Sequence, residues 1–264
     1  FDTEVYNVKT YTSDSIEDIL DYELAGGGGT DFECNWDYMK EEGIEPKRFI
    51  MFTDGYPFGS WGDDNYCEGS LMGARAHQFI LKYIDQLEGA IVEIGAGRGE
   101  GSTDFFAGLV VGCTQFTHYS VDFDSEAYSV MKQYSDRIDN CHAFCMTGEE
   151  FLRTQLTEKI CYAYLDNFDY IYDPNNLPWW VEGQIKRYQQ LGVEMNNSNS
   201  QHAHLLQAKM CVANAQDRCV IQLDDTFKHG NTWSGKGGTA VPYLVDQGWK
   251  IVYTHEQSVA LINF

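Results

Sequence analysis

The residues best suited to chemistry lie in one stretch, residues 90–102, where a buried strand gives way to a glycine-rich loop. The apolar run ends at Glu93 and Ile94, and glycines then occupy alternate positions: Gly95, Gly97 and Gly99. Glycines spaced in this way let the backbone pass close beneath a ligand without Cβ collisions. A helix predicted to begin near Ser102 would present its free N–H groups to that ligand. The stretch therefore predicts a small-molecule site, although an ordinary tight connection between a strand and a helix has a similar composition.

The spacing of these residues is E-x-G-x-G-x-G, which differs from the dinucleotide pattern G-x-G-x-x-G. Glu100 stands where that pattern requires glycine, and this argues against NAD. The stretch resembles motif I of the class I S-adenosylmethionine-dependent methyltransferases. The resemblance implies S-adenosylmethionine as the cofactor, with the glycine turn facing its amino-acid part and Glu93 helping to hold that turn.

Two later positions are predicted to complete a cofactor site. Asp122 lies near the end of a predicted second strand, 27 residues after Gly95. A carboxylate there can accept hydrogen bonds from both vicinal hydroxyls of a ribose, and Asp124 is expected to cap the following helix. Thr147 and Gly148 follow a third predicted strand, where the resembled fold usually lines the adenine pocket.

Three carboxylates follow the next two predicted strands. Asp166 ends the strand 160–165, while Asp224 and Asp225 follow the strand 218–223. Because the carboxyl ends of neighbouring parallel strands line one crevice, we expect these acids to converge. Such a group needs a cation or protons, and its oxygen ligands suit Mg²⁺. Alternatively, the acids belong to a solvated loop.

The pattern of these acids is similar to that of the metal-assisted O-methyltransferases, including those acting on catechols and on sugar hydroxyls of macrolides. The resemblance implies that Asp166, Asp224 and Asp225 hold the metal and that Asp166 takes part in catalysis. The macrolide type often has a histidine shortly after the strand-four acid, which this chain lacks. We therefore expect the general base elsewhere in the chain, and the candidates are His202, His204 and His229, of which His202 is preferred. Alternatively, each of these histidines has only a surface or packing role.

The elements needed to position these residues predict an α/β fold for residues 68–264. Strands and helices alternate up to residue 223, and a hairpin closes the chain at 249–254 and 258–262. This order predicts the Rossmann-like class I methyltransferase sheet, mostly parallel with a C-terminal antiparallel hairpin. An insertion at about 170–210 is predicted to form a lid in which Trp179 and Trp180 either exclude water or pack a helix.

Residues 1–67 are predicted to form a small, acidic α/β appendage, with 16 acidic against 4 basic residues. Residues 26–30 (GGGGT) and 53–55 (TDG) resemble the later half of a von Willebrand factor A-type domain over about residues 1–60. That family's Asp-x-Ser-x-Ser motif is absent, so its metal site is expected to be incomplete. Exposed sheet edges in such a segment are expected to pair either with the second domain or with another copy of the chain in a homo-oligomer.

Composition limits the partners. The net charge of −22 disfavours nucleic acid and anionic membranes, and no apolar run reaches the length of a membrane span. The eight cysteines are scattered without a C-x-x-C pair, which predicts reduced thiols and a cytoplasmic protein.

The sequence thus predicts S-adenosylmethionine-dependent methyl transfer to a hydroxyl of a small molecule, with Mg²⁺ as a candidate aid. The alternatives are a von Willebrand factor A-like metal-dependent binding module and a non-catalytic nucleoside-binding scaffold.

Overall fold

A computed structural model describes residues 38–43, 80, 82–97, 101–111, 113–175, 177–255 and 257–264. The chain divides into two units, residues 1–72 and residues 73–264. In the first unit the described residues are 38–43, of which 38–41 are helical. The two segments that resemble a von Willebrand factor A-type domain lie outside the described residues, and so does Gly99.

The second unit is built on a seven-stranded sheet with the order β3-β2-β1-β4-β5-β9-β8. Its strands are β1 Gly89–Ile94, β2 Phe116–Asp122, β3 Cys141–Cys145, β4 Ile160–Leu165, β5 Ala215–Leu223, β8 Lys250–His255 and β9 Ser258–Ile262. The first five strands are parallel, and β9 runs antiparallel to both of its neighbours. This confirms the predicted Rossmann-like class I methyltransferase sheet with its C-terminal hairpin.

Helices cover both faces of the sheet, which explains why the central strands β1, β2 and β4 are buried along almost their whole length. The helices are α1 Ser102–Val110, α2 Ser125–Ser135, α3 Gly148–Thr154, α4 Trp179–Gln190, α5 Asn197–Asn214 and α6 Ala240–Asp246; a 3₁₀ turn, Ile84–Gln86, precedes β1. The main core joins one face of the sheet to α3, α5 and α6, and α1 packs on the other face through Phe106. None of the helices in the described part of the chain combines the length and apolar character needed to cross a membrane.

The predicted lid region contains α4 and the first turns of α5. A small apolar cluster formed by Val181, Tyr188 and Met195 packs against Phe123 and Phe168, which follow β2 and β4. The sequence predicts a helix over 201–212 capped by Ser200, whereas α5 begins at Asn197 and is capped by Asn196. The Asn196 side chain accepts a hydrogen bond from the Asn199 N–H at 2.8 Å.

A second difference from the prediction lies between β5 and α6. The sequence predicts a loop at 229–238, whereas the structure has a hairpin of β6 Thr226–His229 and β7 Thr232–Gly235. Its two-residue turn contains Gly230 at φ 58°, a conformation that suits a tight hairpin turn. The hairpin returns the chain to the end of β5.

Inside the sheet, Glu93 and His118 form a fully buried ionic pair. The Glu93 carboxylate accepts hydrogen bonds from Thr103 Oγ1 at 3.0 Å and Ser120 Oγ at 2.7 Å, and His118 Nε2 lies 3.4 Å away. Burial opposes protonation of His118, but contacts with Cys141 and Glu93 outweigh it and raise the pKa of His118 to about 9. Burial also acts to raise the pKa of Glu93, yet its hydrogen bonds and the His118 charge lower it.

These shifts predict a loss of stability at alkaline pH. A histidine whose pKa is higher in the folded than in the unfolded state stabilises fully below pH 6.5, and that contribution is lost as the pH rises to 9. We expect the free energy of unfolding to fall by on the order of 3 kcal/mol across this range and His118→Gln to remove most of the slope. Urea unfolding at several pH values measures this pH dependence of the free energy of unfolding. The exposed His142 serves as a control, since His142→Gln should keep the slope; an equal slope in His118→Gln would contradict the assignment.

Candidate active site

A cavity of about 520 Å³ opens at the carboxyl edge of the sheet, where the strand order reverses between β1 and β4. Ligands of open α/β sheets bind at this switch point. The wall is formed by the turns after β1, β2, β4 and β5 and by the lid helix α4. The cavity is lined by seven acidic side chains and two basic ones: Asp122, Asp124, Glu126, Asp166, Asp169, Asp224, Asp225, Arg187 and Lys236.

The glycine turn after β1 forms one wall of this large cavity. Gly95 has φ 93°, and a Cβ on it would overlap the backbone nitrogen of Asn167, so only glycine allows the β1 and β4 turns to meet. Gly97 has φ 55° and faces open space, with its N–H donating to Asp122 Oδ2 at 3.1 Å. Gly95 therefore serves backbone packing, while Gly97 faces the space available to a ligand.

Asp122 stands at the centre of the edge, as predicted from its place at the end of β2. Its carboxylate accepts hydrogen bonds from the N–H groups of Gly97 and Asp124, the latter at 2.8 Å. Burial and the nearby charges of Asp124 and Glu93 raise the pKa of Asp122 to about 6, against the opposing effect of the two N–H donors. The carboxylate is therefore ionised at neutral pH and protonates in mildly acidic solution.

A smaller cavity of about 140 Å³ lies on the other side of Asp122. Thr147 and Gly148 line it, as the sequence predicts for the third strand end, and Thr147 Oγ1 also caps α3 by accepting from the Glu150 N–H at 3.2 Å. Most of the remaining wall is apolar: Ile94, Val121, Phe123, Met146, Phe168, Val193 and Ala203. The apolar slot and the polar cavity share the Asp122 carboxylate. The slot suits a flat ring, and the carboxylate suits a hydroxyl-bearing group attached to that ring.

Asn167 is a further residue of the edge that sequence reasoning missed. It lines both cavities, and its Oδ1 is buried without a hydrogen-bond partner. A buried carbonyl oxygen without a partner is costly, so this atom is available to a donor on a ligand. The only signal in the sequence was its place directly after Asp166.

Glu93, by contrast, does not reach either cavity. Its buried carboxylate accepts from Thr103 in the first turn of α1, which ties the helix after the glycine turn to the sheet. Glu93 thus holds the turn from behind, the role that the resemblance implies, rather than contacting a ligand.

The three acids predicted to bind metal do converge, but a lysine lies among them. The Lys236 ammonium donates to Asp166 Oδ1 at 2.6 Å and to the Asp166 carbonyl at 2.9 Å, and it lies 3.1 Å from Asp225 Oδ2. Its side chain is only 2% exposed. Lys236 was missed because it follows a hairpin that the sequence does not predict.

The residues present therefore do not fit the predicted magnesium site at Asp166, Asp224 and Asp225. Across the ranges that the structure describes, no three His, Cys, Asp or Glu side chains are grouped as metal ligands. The physical reason is charge: the carboxylates need a neutralising cation, and the chain supplies one of its own.

Three acids near Lys236, namely Asp166, Asp169 and Asp224, have raised pKa values. Burial raises the pKa of Asp166 well above its usual value, and the Asp224 and Asp225 charges add to this while Lys236 opposes it. Burial likewise raises the pKa values of Asp169 and Asp224. Although burial disfavours a charged lysine, the surrounding carboxylates raise the pKa of Lys236 well above 10.5. The group thus combines a permanent ammonium with carboxylates able to take up a proton.

Backbone strain is found in the same wall. In the described part of the chain the non-glycine residues with positive φ are Phe168 at 60° and Asp225 at 45°. They follow the two strand ends that carry Asp166 and Asp224, and both line the large cavity. Such conformations are held by surrounding contacts and cluster at functional sites; the Phe168 carbonyl, for example, accepts from Ser200 Oγ at 2.7 Å.

The candidate bases lie away from the cavities. His202 is exposed on α5 and His229 is exposed on β6, and neither side chain lines either of the two cavities described above. His204 is fully buried: its Nδ1 lies 2.8 Å from the Ser200 carbonyl, and burial together with the Lys236 charge lowers its pKa to about 3. The geometry therefore brings Asp166 to the site but not His202.

The lid contributes Arg187, another residue not foreseen from the sequence. Arg187 Nε donates to Asp124 Oδ2 at 2.7 Å, and Asp124 also caps α2, as predicted, by accepting from the Glu126 N–H at 2.9 Å. This contact fastens α4 over the end of β2. Trp179 plays no such part, because it is 84% exposed and lines neither cavity.

Comparisons with known proteins give structural matches. No protein-family model matches the chain, and a search of curated proteins finds no match. A candidate methyltransferase from Streptococcus mutans, in complex with SAH, is 12% identical and has a TM-score of 0.44, with 71% of this chain and 96% of that chain covered. A SAM-dependent methyltransferase from Aquifex aeolicus is 11% identical with a TM-score of 0.42, covering 75% of this chain and 95% of that chain.

A candidate O-methyltransferase from Nostoc punctiforme is 10% identical with a TM-score of 0.44, covering 73% of this chain and 57% of that chain. At this level of similarity the strand order defines the fold, and function must be argued from the site residues. The likeness of residues 1–60 to a von Willebrand factor A-type domain finds no support in these comparisons.

The two described glycines of the β1 turn should differ sharply in their tolerance of a side chain. We expect Gly95→Ala to lower the free energy of unfolding by more than about 3 kcal/mol, because its Cβ would overlap the Asn167 backbone at positive φ. Gly97→Ala should cost about 1 kcal/mol, the penalty of a left-handed backbone alone. Chemical denaturation of both variants measures this, and equal losses would show that the two turns do not meet as described.

Proposed function

We propose that the protein transfers a methyl group from S-adenosylmethionine to a hydroxyl of a small molecule. The observation that carries the proposal is the position of Asp122, a carboxylate shared by an apolar slot and a larger polar cavity beside a glycine turn. This arrangement matches the division of the cofactor into an adenine ring, a ribose and a charged amino-acid part.

The residues of the edge fit that cofactor in order. The small cavity beside Thr147 and Gly148 would take the adenine, and Asp122 would accept hydrogen bonds from the ribose hydroxyls. Gly97 and Asn167 line the space left for the remaining part of the molecule, and Asn167 Oδ1 has no hydrogen-bond partner within the protein. When bound, the cofactor supplies a methyl group already activated by attachment to a sulfonium.

The negative charge of the large cavity supports both parts of the proposal, the cofactor and the small acceptor. With seven acids and two bases in its wall, the large cavity favours a cationic sulfonium and repels phosphate groups. The acceptor is therefore proposed to be a small molecule rather than a nucleic acid or a membrane lipid.

The chain's own residues would contribute orientation and proton uptake. The lid, fastened by Arg187 to Asp124, lines the cavity. It would hold an acceptor in line with the methyl group, and such orientation is a large part of catalysis for a displacement of this kind. Burial raises the pKa values of Asp169 and Asp224, which makes these carboxylates suited to accept the hydroxyl proton at neutral pH.

Cofactor binding can be measured directly by calorimetry with S-adenosylmethionine and S-adenosylhomocysteine. Asp122→Ala should weaken both by at least about tenfold, because a charge-assisted pair of hydrogen bonds to the ribose is lost. The exposed Asp246, which lines neither cavity, provides a charge-matched control through Asp246→Ala. Unchanged affinity in Asp122→Ala, or no binding by the unaltered protein, would reject the assignment.

The pH dependence of the same binding tests the state of Asp122. Since its pKa is raised to about 6, the carboxylate is mostly neutral at pH 5, and we expect affinity to fall about tenfold between pH 7.5 and pH 5. Asp122→Asn should bind weakly at both values with little change between them. A parallel pH effect in the wild type and in Asp122→Asn would assign the titration to another group.

Binding without turnover would identify the non-catalytic scaffold. Incubation with S-adenosylmethionine carrying a labelled methyl group, in the presence of a panel of phenols, catechols and sugars, separates the two. Label in an extractable product supports the enzyme, whereas saturable binding with no labelled product from the panel supports the scaffold.

A further inference from the structure

We propose that Lys236 takes the place of a divalent cation between the ends of β4 and β5, so that the site works without a metal and Lys236 acts as its positioning residue. The catalytic part of this inference rests on the proposed methyl transfer. The occupancy of the position by an ammonium can be tested independently.

The hydrogen bonds of Lys236 show that the ammonium fits this position. An ammonium has three N–H donors, and Lys236 Nζ has three oxygen neighbours within 3.1 Å, two from Asp166 and one from Asp225. These oxygens come from the ends of two adjacent parallel strands. The lysine therefore joins β4 to β5 at the point where the sequence predicts a metal.

The backbone around Lys236 is fixed from both sides. The Lys236 N–H donates to the Asp225 carbonyl at 2.9 Å, and the next N–H, from Gly237, donates to Thr226 Oγ1 at 2.9 Å. Gly235 has φ 81°, and a Cβ there would overlap the Asp225 carbonyl oxygen. The hairpin of β6 and β7 thus leads into Lys236 through a position that only glycine can occupy.

Because like charges repel, the Lys236 ammonium and a metal ion cannot readily occupy the carboxylate cluster together. Bringing a divalent ion to the Asp166 and Asp225 carboxylates would place it within a few ångströms of a buried ammonium, where like charges repel strongly. Removing the ammonium from a site with four carboxylates, Asp166, Asp169, Asp224 and Asp225, would leave an uncompensated negative charge. The cluster therefore favours one cation, and binding of a second is opposed.

In the reaction, Lys236 would position the carboxylates and the carboxylates would take up the proton. Lys236 holds Asp166 through two hydrogen bonds and Asp225 through an ion pair, and from this buried position it acts through them rather than by binding the acceptor. In the transfer, the hydroxyl oxygen forms a bond to the methyl carbon, the carbon–sulfur bond breaks with its electron pair passing to sulfur, and the hydroxyl proton passes to the carboxylate cluster.

The proposal that the Lys236 ammonium takes the place of a divalent cation can be tested by titrating the full chain with Mn²⁺ and monitoring binding by electron paramagnetic resonance. The wild type should bind Mn²⁺ only weakly and without a stoichiometric site. Lys236→Ala should gain one site that binds Mn²⁺ at least about tenfold more tightly than this residual binding, because the repelling charge is gone. Lys228 is exposed on the same hairpin, so Lys228→Ala changes the net charge equally and should gain nothing. Adding Asp166→Asn to Lys236→Ala should abolish the new site.

The same titration can overturn the proposal. A stoichiometric Mn²⁺ site in the wild type that Asp166→Asn removes would show that metal displaces the lysine. Circular dichroism establishes that each variant is folded, and Lys236→Met, which keeps most of the length of the side chain but not its ammonium, replaces Lys236→Ala if the latter does not fold. A folded variant that gains no site would also reject the replacement. Because Mn²⁺ binding is read without cofactor, its outcome is independent of whether S-adenosylmethionine binds.

Discussion

A buried ammonium between two strand ends is the interaction on which the candidate site depends. Parallel strands bring their carboxyl ends to one edge, and here this places Asp166, Asp224 and Asp225 close together. Such a concentration of carboxylates is unstable unless a cation or protons compensate it. Lys236 supplies one positive charge from within the chain, and burial together with the neighbouring carboxylate charges still raises the pKa values of Asp166 and Asp224.

The other half of the edge depends on close backbone packing rather than charge. The β1 turn passes against the β4 turn at Gly95, and this brings Gly97 to the Asp122 carboxylate. The result is a carboxylate positioned by two backbone N–H groups, with an apolar slot on one side and a polar cavity on the other. Under the proposed function, the first half would take up the proton and this half would bind the nucleoside.

Behind this surface, buried polar contacts hold the elements that carry the site. Glu93 ties the first turn of α1 to β1 and pairs with His118 on β2, so the helix after the glycine turn cannot shift independently of the sheet. On the outer side, Arg187 ties the lid helix to Asp124. These ionic contacts are directional, and they complement an apolar core that provides most of the cohesion but little orientation.

Much of the fold and part of the site could be predicted from the sequence because those features are local. The alternation of apolar strands and amphipathic helices is typical of a parallel sheet, and residues at strand ends must meet at one edge of it. This is why Gly95, Asp122, Thr147, Asp166 and Asp224 were placed correctly at that edge.

Only the tertiary structure decided which charges meet. Lys236 lies 70 residues from Asp166 along the chain, and its position depends on a short hairpin whose Gly-Asn turn is hidden in a glycine-rich run. Burial likewise decided between the histidines, since helical periodicity alone does not show that His204 faces inward and His202 outward. Local sequence specifies strand ends and turns, but the cation that balances a carboxylate cluster comes from wherever long-range packing brings one.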